Sequence, residues 1–313
     1  MISRRRLIAG TALGAGAGLV LPGCQPLRSE AGGGQGGKRL IVDAQVHMWT
    51  PATPALPWIP GFTPQLPEPL TIERILPMMD EAGVDRVVVV PSVNISDNYG
   101  LEAVRRHPAR FAVMGRLPLN DPRGAALLPA WKDRPGMLGL RASFFTKQAQ
   151  TEFAEGKVDW LWPAAEKANI PIMFLAYGLV SKFAPIAQRH PGLRLIVDHL
   201  GVSNAMAKEG QLAQGIADVV ALAKYPNVSV KLSNLVNASL QPYPYRDLND
   251  HLQRVVEAFG PQRCHWGTDL TLSFARATWR QRLTHVTEEL KFLSESDKDW
   301  IMGRSILARL NWP

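Results

Sequence analysis

From Arg39 onward the chain repeats one alternation: a short apolar run rich in β-branched residues, then a longer segment with apolar residues at helical spacing. The strand-like runs are 39–47, 85–91, 110–117, 137–144, 171–176, 194–199, 228–232 and 264–269. Helix-like segments lie between them, among them the one that opens at Thr71 and those at 161–169, 180–190, 211–224 and 248–259, several ended by Gly or Pro. Near-continuous apolar strands are covered on both faces, and helices between them imply parallel neighbours joined by crossovers. Eight such units predict a closed (β/α)₈ TIM barrel, for which ~250 residues suffice. An open doubly wound sheet fits less well, because no GxGxxG turn follows the first strand.

Ahead of this body, Ser3-Arg4-Arg5-Arg6-Leu7-Ile8 precedes an apolar stretch over 9–21 that is too short to span a bilayer. The pattern resembles a twin-arginine export signal, and Leu21-Pro22-Gly23-Cys24 resembles a lipoprotein cleavage site, with Pro22 departing from the usual small or aliphatic residue. The expected organisation is an export signal over 1–24, a Gly-rich tether over 25–38 and the barrel over 39–313. The expected partners are the twin-arginine export machinery and a lipid anchor at Cys24, giving a periplasmic or membrane-tethered protein.

With Cys24 in the leader, Cys264 has no partner for an intramolecular disulfide, and its apolar flanks predict a buried strand residue rather than a nucleophile. Hydrophobic residues make up 46% of the chain and charged residues 20%, enough apolar surface for a large core. The net charge of +8 is scattered apart from Arg4, Arg5 and Arg6, which argues against a nucleic-acid surface and leaves an anionic small molecule as the expected partner.

In a barrel, the residues at the C-terminal strand ends share one pocket. Here they are reactive: Gln45 and His47 on the inward face of the first strand, Arg141 on the fourth, His199 closing the sixth, Lys231 and Ser233 on the seventh, Asp269 closing the eighth. Charge buried near a barrel axis is costly unless it is paired or used, so the joint pattern predicts a common site. The Pro-rich stretch 50–69, with Trp58, is too long for an ordinary connection and is expected to form a wall of that site. His107 and His190 are expected at helix ends, and His265 as packing.

The strand ends read DAQVH, GLR, VDHLG, VKLS and WGTD in order, and the chain closes on Asn311-Trp312-Pro313. Together they resemble the amidohydrolase-related family, the branch of the amidohydrolase superfamily that holds sugar-lactone and pyrone-dicarboxylate lactonases and some decarboxylases, over residues 39–313. The resemblance implies a hydrolase that opens a lactone or ester of a sugar acid or aromatic-degradation intermediate. Asp269 would be the general base, and His47 and His199 would stabilise the oxyanion. Arg141 would clamp a substrate carboxylate, and Lys231 would do similar work or pair with Asp269. Gln45 would contact substrate.

The chain departs from the metal-dependent pattern in two places. Those members begin with His-x-His, and here the first of the pair is Gln45, a poor ligand for zinc. The fifth strand offers no histidine or carboxylate where another ligand is usual. A metal would have only His47, His199 and Asp269, so the expected chemistry uses no cofactor, with zinc or manganese as the alternative. A metal-dependent decarboxylase or metallohydrolase on the same barrel, and a non-catalytic exported binding barrel, are the rival readings.

Overall fold

The computed structural model describes residues 38–51, 53–55, 69–91, 97–270 and 273–313. The export signal with Cys24, the tether up to Gly37 and most of the Pro-rich stretch, including Trp58, lie outside them.

Residues 39–313 form one unit around an eight-stranded parallel sheet whose strands pair in sequence order. The strands are β1 (Val42–Val46), β2 (Arg86–Val89), β3 (Phe111–Gly115), β4 (Met137–Ser143), β5 (Ile172–Leu175), β6 (Leu195–Val197), β7 (Val228–Leu232) and β8 (Cys264–Trp266). Each falls inside its expected run. The ring closes beyond β8: Asp269 N donates to Gln45 O (2.9 Å) and His47 N donates to Leu270 O (2.7 Å). Closure therefore places Asp269 beside Gln45 and His47. The expected TIM barrel is the observed fold.

Val42, Ala44, Val88, Val90, Ala112, Met114, Met173 and Ile196 form the inner cluster, whereas Val46, Val87, Val89, Val113 and Val197 pack outward under the helices. In β1 the pairing register shifts between Asp43 and Val46. Val42 and Ala44 face the interior below this irregularity, Gln45 and His47 face it above. A bulge at the rim re-aims side chains in this way.

The helices follow their apolar spacing. Ile72–Ala82 buries Ile72, Ile75, Met79 and Ala82 and stops at Gly83, whose left-handed φ of 78° suits glycine. Asn249–Phe259 buries Leu252, Val255, Val256 and Phe259. The expected single helix over 180–190 is instead a tight turn, Val180–Phe183, followed by Ala184–Arg189. Pro185 sits at the start of the second piece and has no N–H to continue the first. After β8 the chain packs across β1, where Gly303 lies so close that an added Cβ would be 2.5 Å from Leu40 O. Among the described residues no helix is long and apolar enough to cross a membrane.

Candidate active site

The strand ends carry backbone strain. His199 (φ 53°), Leu200 (φ 55°), Asn234 (φ 57°) and Asp269 (φ 57°) are non-glycine residues in the left-handed region, following β6, β7 and β8. Such conformations persist where the surroundings over-determine them, and here they aim His199 and Asp269 at one point.

That point is occupied by the Gln45 amide. Lys231 Nζ donates to Gln45 Oε1. An ammonium can only donate, so Oε1 must face Lys231 and Nε2 must face the other way. Gln45 Nε2 donates to Asp269 Oδ1 at 2.8 Å and stands 3.3 Å from His47 Nε2 and 3.4 Å from His199 Nε2. His47 Nδ1 donates to Val90 O at 2.7 Å, and its Nε2 lies 2.9 Å from Asp269 Oδ1.

The same logic sets the His199 tautomer. Its Nε2 faces an amide N–H, so it accepts, and Nδ1–H donates to Ser233 Oγ at 2.8 Å. Burial pushes His199 down to about 4, against the opposing pull of Asp269 and Asp198, so the ring is neutral near pH 7. Burial alone would raise the Asp269 carboxyl, but His199 and then His47 beside it bring it below the ordinary carboxylate range. Asp269 Oδ2 is buried 3.6 Å from His199 Nε2 and has no hydrogen-bond partner among the described residues.

Behind Gln45 lies a fully buried charge cluster. Asp198 Oδ2 accepts from Arg141 Nε at 2.7 Å, and Asp198 Oδ1 pairs with Lys231 Nζ at 2.6 Å. Burial opposes ionisation of Asp198, yet Lys231 and Arg141 hold it at about 2. Burial lowers the Lys231 ammonium, with Asp198 resisting. The expected alternative partner of Lys231, Asp269, is not the one it meets, because Asp198 precedes His199 and projects under Gln45. Lys231 is fully buried: its Nζ donates to Gln45 Oε1 and Met173 Sδ and forms an ion pair with Asp198 Oδ1, which turns it away from substrate. Among the described residues Arg141 is hydrogen-bonded through Nε only.

Asp198 stands in VDHLG beside His199 at a strand end, and that adjacency is its signal in the sequence. Asp43 opens DAQVH. Its carboxylate accepts from Gln45 N (3.0 Å), Thr268 N (2.9 Å), Thr268 Oγ1 (2.6 Å) and Trp279 Nε1 (3.0 Å), tying β1 to the end of β8. Burial raises it to about 6 despite these donors. The ring of Tyr177 lies 6.3 Å from that of His199, and burial pushes its phenol up.

Other expectations hold away from the centre. His190 follows the helix Ala184–Arg189 and pairs with Glu166 at 2.8 Å. His265 is buried, with Nδ1 2.7 Å from Ser305 Oγ. Cys264 is buried and burial pushes its thiol up, which makes it inert.

With this geometry in hand, the comparisons with known proteins decide the family. The Amidohydrolase family model matches residues 42–305. The chain belongs to that family. It is 25% identical over 252 residues to the L-fucono-1,5-lactonase of Burkholderia ambifaria, covering 74% of this chain and 80% of the relative. It is 25% identical over 250 residues to the D-galactarolactone isomerase of Agrobacterium fabrum, covering 77% and 79%. An amidohydrolase structure from Burkholderia multivorans with bound zinc superposes with a TM-score of 0.75 at 20% identity, covering 88% of this chain and all of that one. This amidohydrolase is a lactonase-like hydrolase.

The zinc in that relative makes a divalent metal worth testing against the side chains present. Among the described residues no three His, Cys, Asp or Glu side chains are arranged to hold a metal ion. A second obstacle lies beside them. Gln45 Nε2, a donor, stands at hydrogen-bond distance from Asp269, His47 and His199, in the space that a metal held by those three would need. The donor set of this chain does not fit a metal.

Proposed function

We propose that this amidohydrolase opens the ring ester of a sugar-acid lactone by direct attack of water, with Asp269 as general base and no metal. The observation that carries the reading is Asp269 Oδ2, a buried carboxylate oxygen with no hydrogen-bond partner among the described residues, 3.6 Å from His199 Nε2. A water that gives one hydrogen to Asp269 Oδ2 keeps a lone pair for the carbonyl carbon of a bound lactone. As the C–O bond forms, the water proton passes to Asp269, and it is handed on to the ring oxygen as the ring opens, giving the hydroxy acid. His199, held by Ser233 and by the Gln45 amide, lines the side of Asp269 on which the water binds. Gln45 Nε2 and His47 Nε2, 2.8 and 2.9 Å from Asp269 Oδ1, orient the base so that Oδ2 is the oxygen that takes the proton. Among the described residues of this cluster, the terminal nitrogens of Arg141 are the cationic group open to an anionic or polyhydroxyl substrate. An ester is more readily opened than an amide, so fixed donors can serve where an amidase needs a Lewis acid. The lactone names of the two curated relatives support the substrate class.

The leader motif Arg4-Arg5-Arg6 and Cys24 support export and tethering as part of the same proposal.

The test is hydrolysis of L-fucono-1,5-lactone and related 1,5-lactones by the full-length protein, with and without a strong chelator. Turnover that survives the chelator and falls ~10³-fold in Asp269→Asn, with KM little changed, is expected. Loss of turnover on chelation, or an active Asp269→Asn protein, would reject the mechanism.

A further inference from the structure

We propose that Gln45, turned by Lys231, takes the place of the metal in this barrel: its amide nitrogen plugs the position between His47, His199 and Asp269 and excludes zinc from it. The inference rests on the reading above for its catalytic meaning, but its own observations are independent of substrate. Gln45 Nε2 touches all three would-be ligands, at 2.8, 3.3 and 3.4 Å. The amide cannot turn its oxygen to the centre, because Oε1 is held by a fully buried ammonium that has no second way to satisfy that N–H. Lys231 is in turn locked to Asp198, and Asp198 to Arg141. The chain Arg141–Asp198–Lys231–Gln45 therefore presents two polarised N–H bonds to the centre, and Lys231 is a positioning residue that acts through Gln45.

A plug makes a sharper prediction than a missing ligand. If Gln45 merely fails to coordinate, removing it changes nothing. If it fills the site, removing it frees His47, His199 and Asp269 to draw together on an ion, and three ligands are the number that catalytic zinc sites use together with water.

The experiment is equilibrium dialysis of the full-length wild type, Gln45→Ala, Gln45→His and Gln45→Ala/His47→Ala against zinc, read by elemental analysis and by the zinc-induced shift in melting temperature. The wild type should hold no tightly bound zinc and show no shift. Gln45→Ala and Gln45→His should each hold about one zinc per chain and melt higher with it. Gln45→Ala/His47→Ala should lose both effects. Stoichiometric zinc in the wild type would overturn the proposal, and so would zinc binding by Gln45→His but not by Gln45→Ala, since that pattern reports ligand count alone. The Lys231 part is read from the ring ¹⁵N shifts of His199. The wild type should show the Nδ1–H tautomer and Lys231→Met a mixture; unchanged shifts in the variant would overturn it. None of these readouts uses lactone turnover, so the plug and the lactonase reading can fail separately.

Discussion

Replacing Lys231 by Met removes a charge but keeps most of the volume, and the structure indicates what that should cost. Lys231 and Asp198 are both fully buried and 2.6 Å apart, and the same ammonium satisfies Gln45 Oε1. Asp198 sits at about 2 rather than 3.8, which corresponds to about 2 kcal/mol by which Lys231 and Arg141 together outweigh its burial. Breaking a buried pair by removing one partner costs ~3–5 kcal/mol, because the remaining charge is left uncompensated. Arg141 still faces Asp198, so the lower end of that range is expected, about 3 kcal/mol at pH 7. The assay is urea unfolding of the wild type, Lys231→Met, Asp198→Asn and the double variant. Coupling of about 2 kcal/mol or more, with the double variant more stable than additivity allows, is expected. In the wild type the Asp198 contribution is complete above pH 3.8 and lost only as pH falls through about 2. In Lys231→Met the carboxyl rises, so the gap to the wild type should narrow from pH 7 to pH 5. A loss under about 1 kcal/mol, or strict additivity, would refute the claim that Lys231 is held by Asp198.

The fold should be acid-sensitive through its buried histidines. Burial holds His199 and His285 at about 4, so each contributes stability that is complete above 6.5 and lost as pH falls toward 4, about 3 kcal/mol apiece. Asp43, raised to about 6 by burial, acts with the opposite sign, returning about 3 kcal/mol as pH falls from 6 to 3.8. A lower urea midpoint at pH 4.5 than at pH 7, with a smaller drop in His285→Leu, is expected; equal midpoints would contradict it. Gly201 (φ 64°), just after His199 and Leu200, leaves no room for a side chain: an added Cβ would be 2.3 Å from Val180 Cγ2. Gly201→Ala should lose ~1–3 kcal/mol, seen as a lower melting temperature, and wild-type stability would show that the β6 turn is not constrained as described.

Much of this barrel is legible in the sequence. Apolar runs recur at the right interval, so all eight strands fall where periodicity places them, and the parity of β1 puts Gln45 and His47 on one face. Motifs at strand ends also single out His199, Arg141, Lys231 and Asp269, because a barrel sends those ends to a common mouth. The sequence misplaces the helix break at Pro185 and passes over Asp43 and Asp198. Side chains on different strands have no fixed partners until the ring closes.

The sequence by itself determined the repeating βα units, the side chains that reach the mouth and the absence of a His-x-His pair. Only the tertiary structure decided what those side chains do to one another. Lys231 meets Asp198 instead of Asp269, the Gln45 amide is turned nitrogen-first into the centre, and His199 becomes an acceptor. Each follows from distances between residues far apart in the chain, set by the shift in β1 and the closure of β8 on β1. Hydrogen-bond direction is a property of pairs, and pairs exist only once the chain has folded.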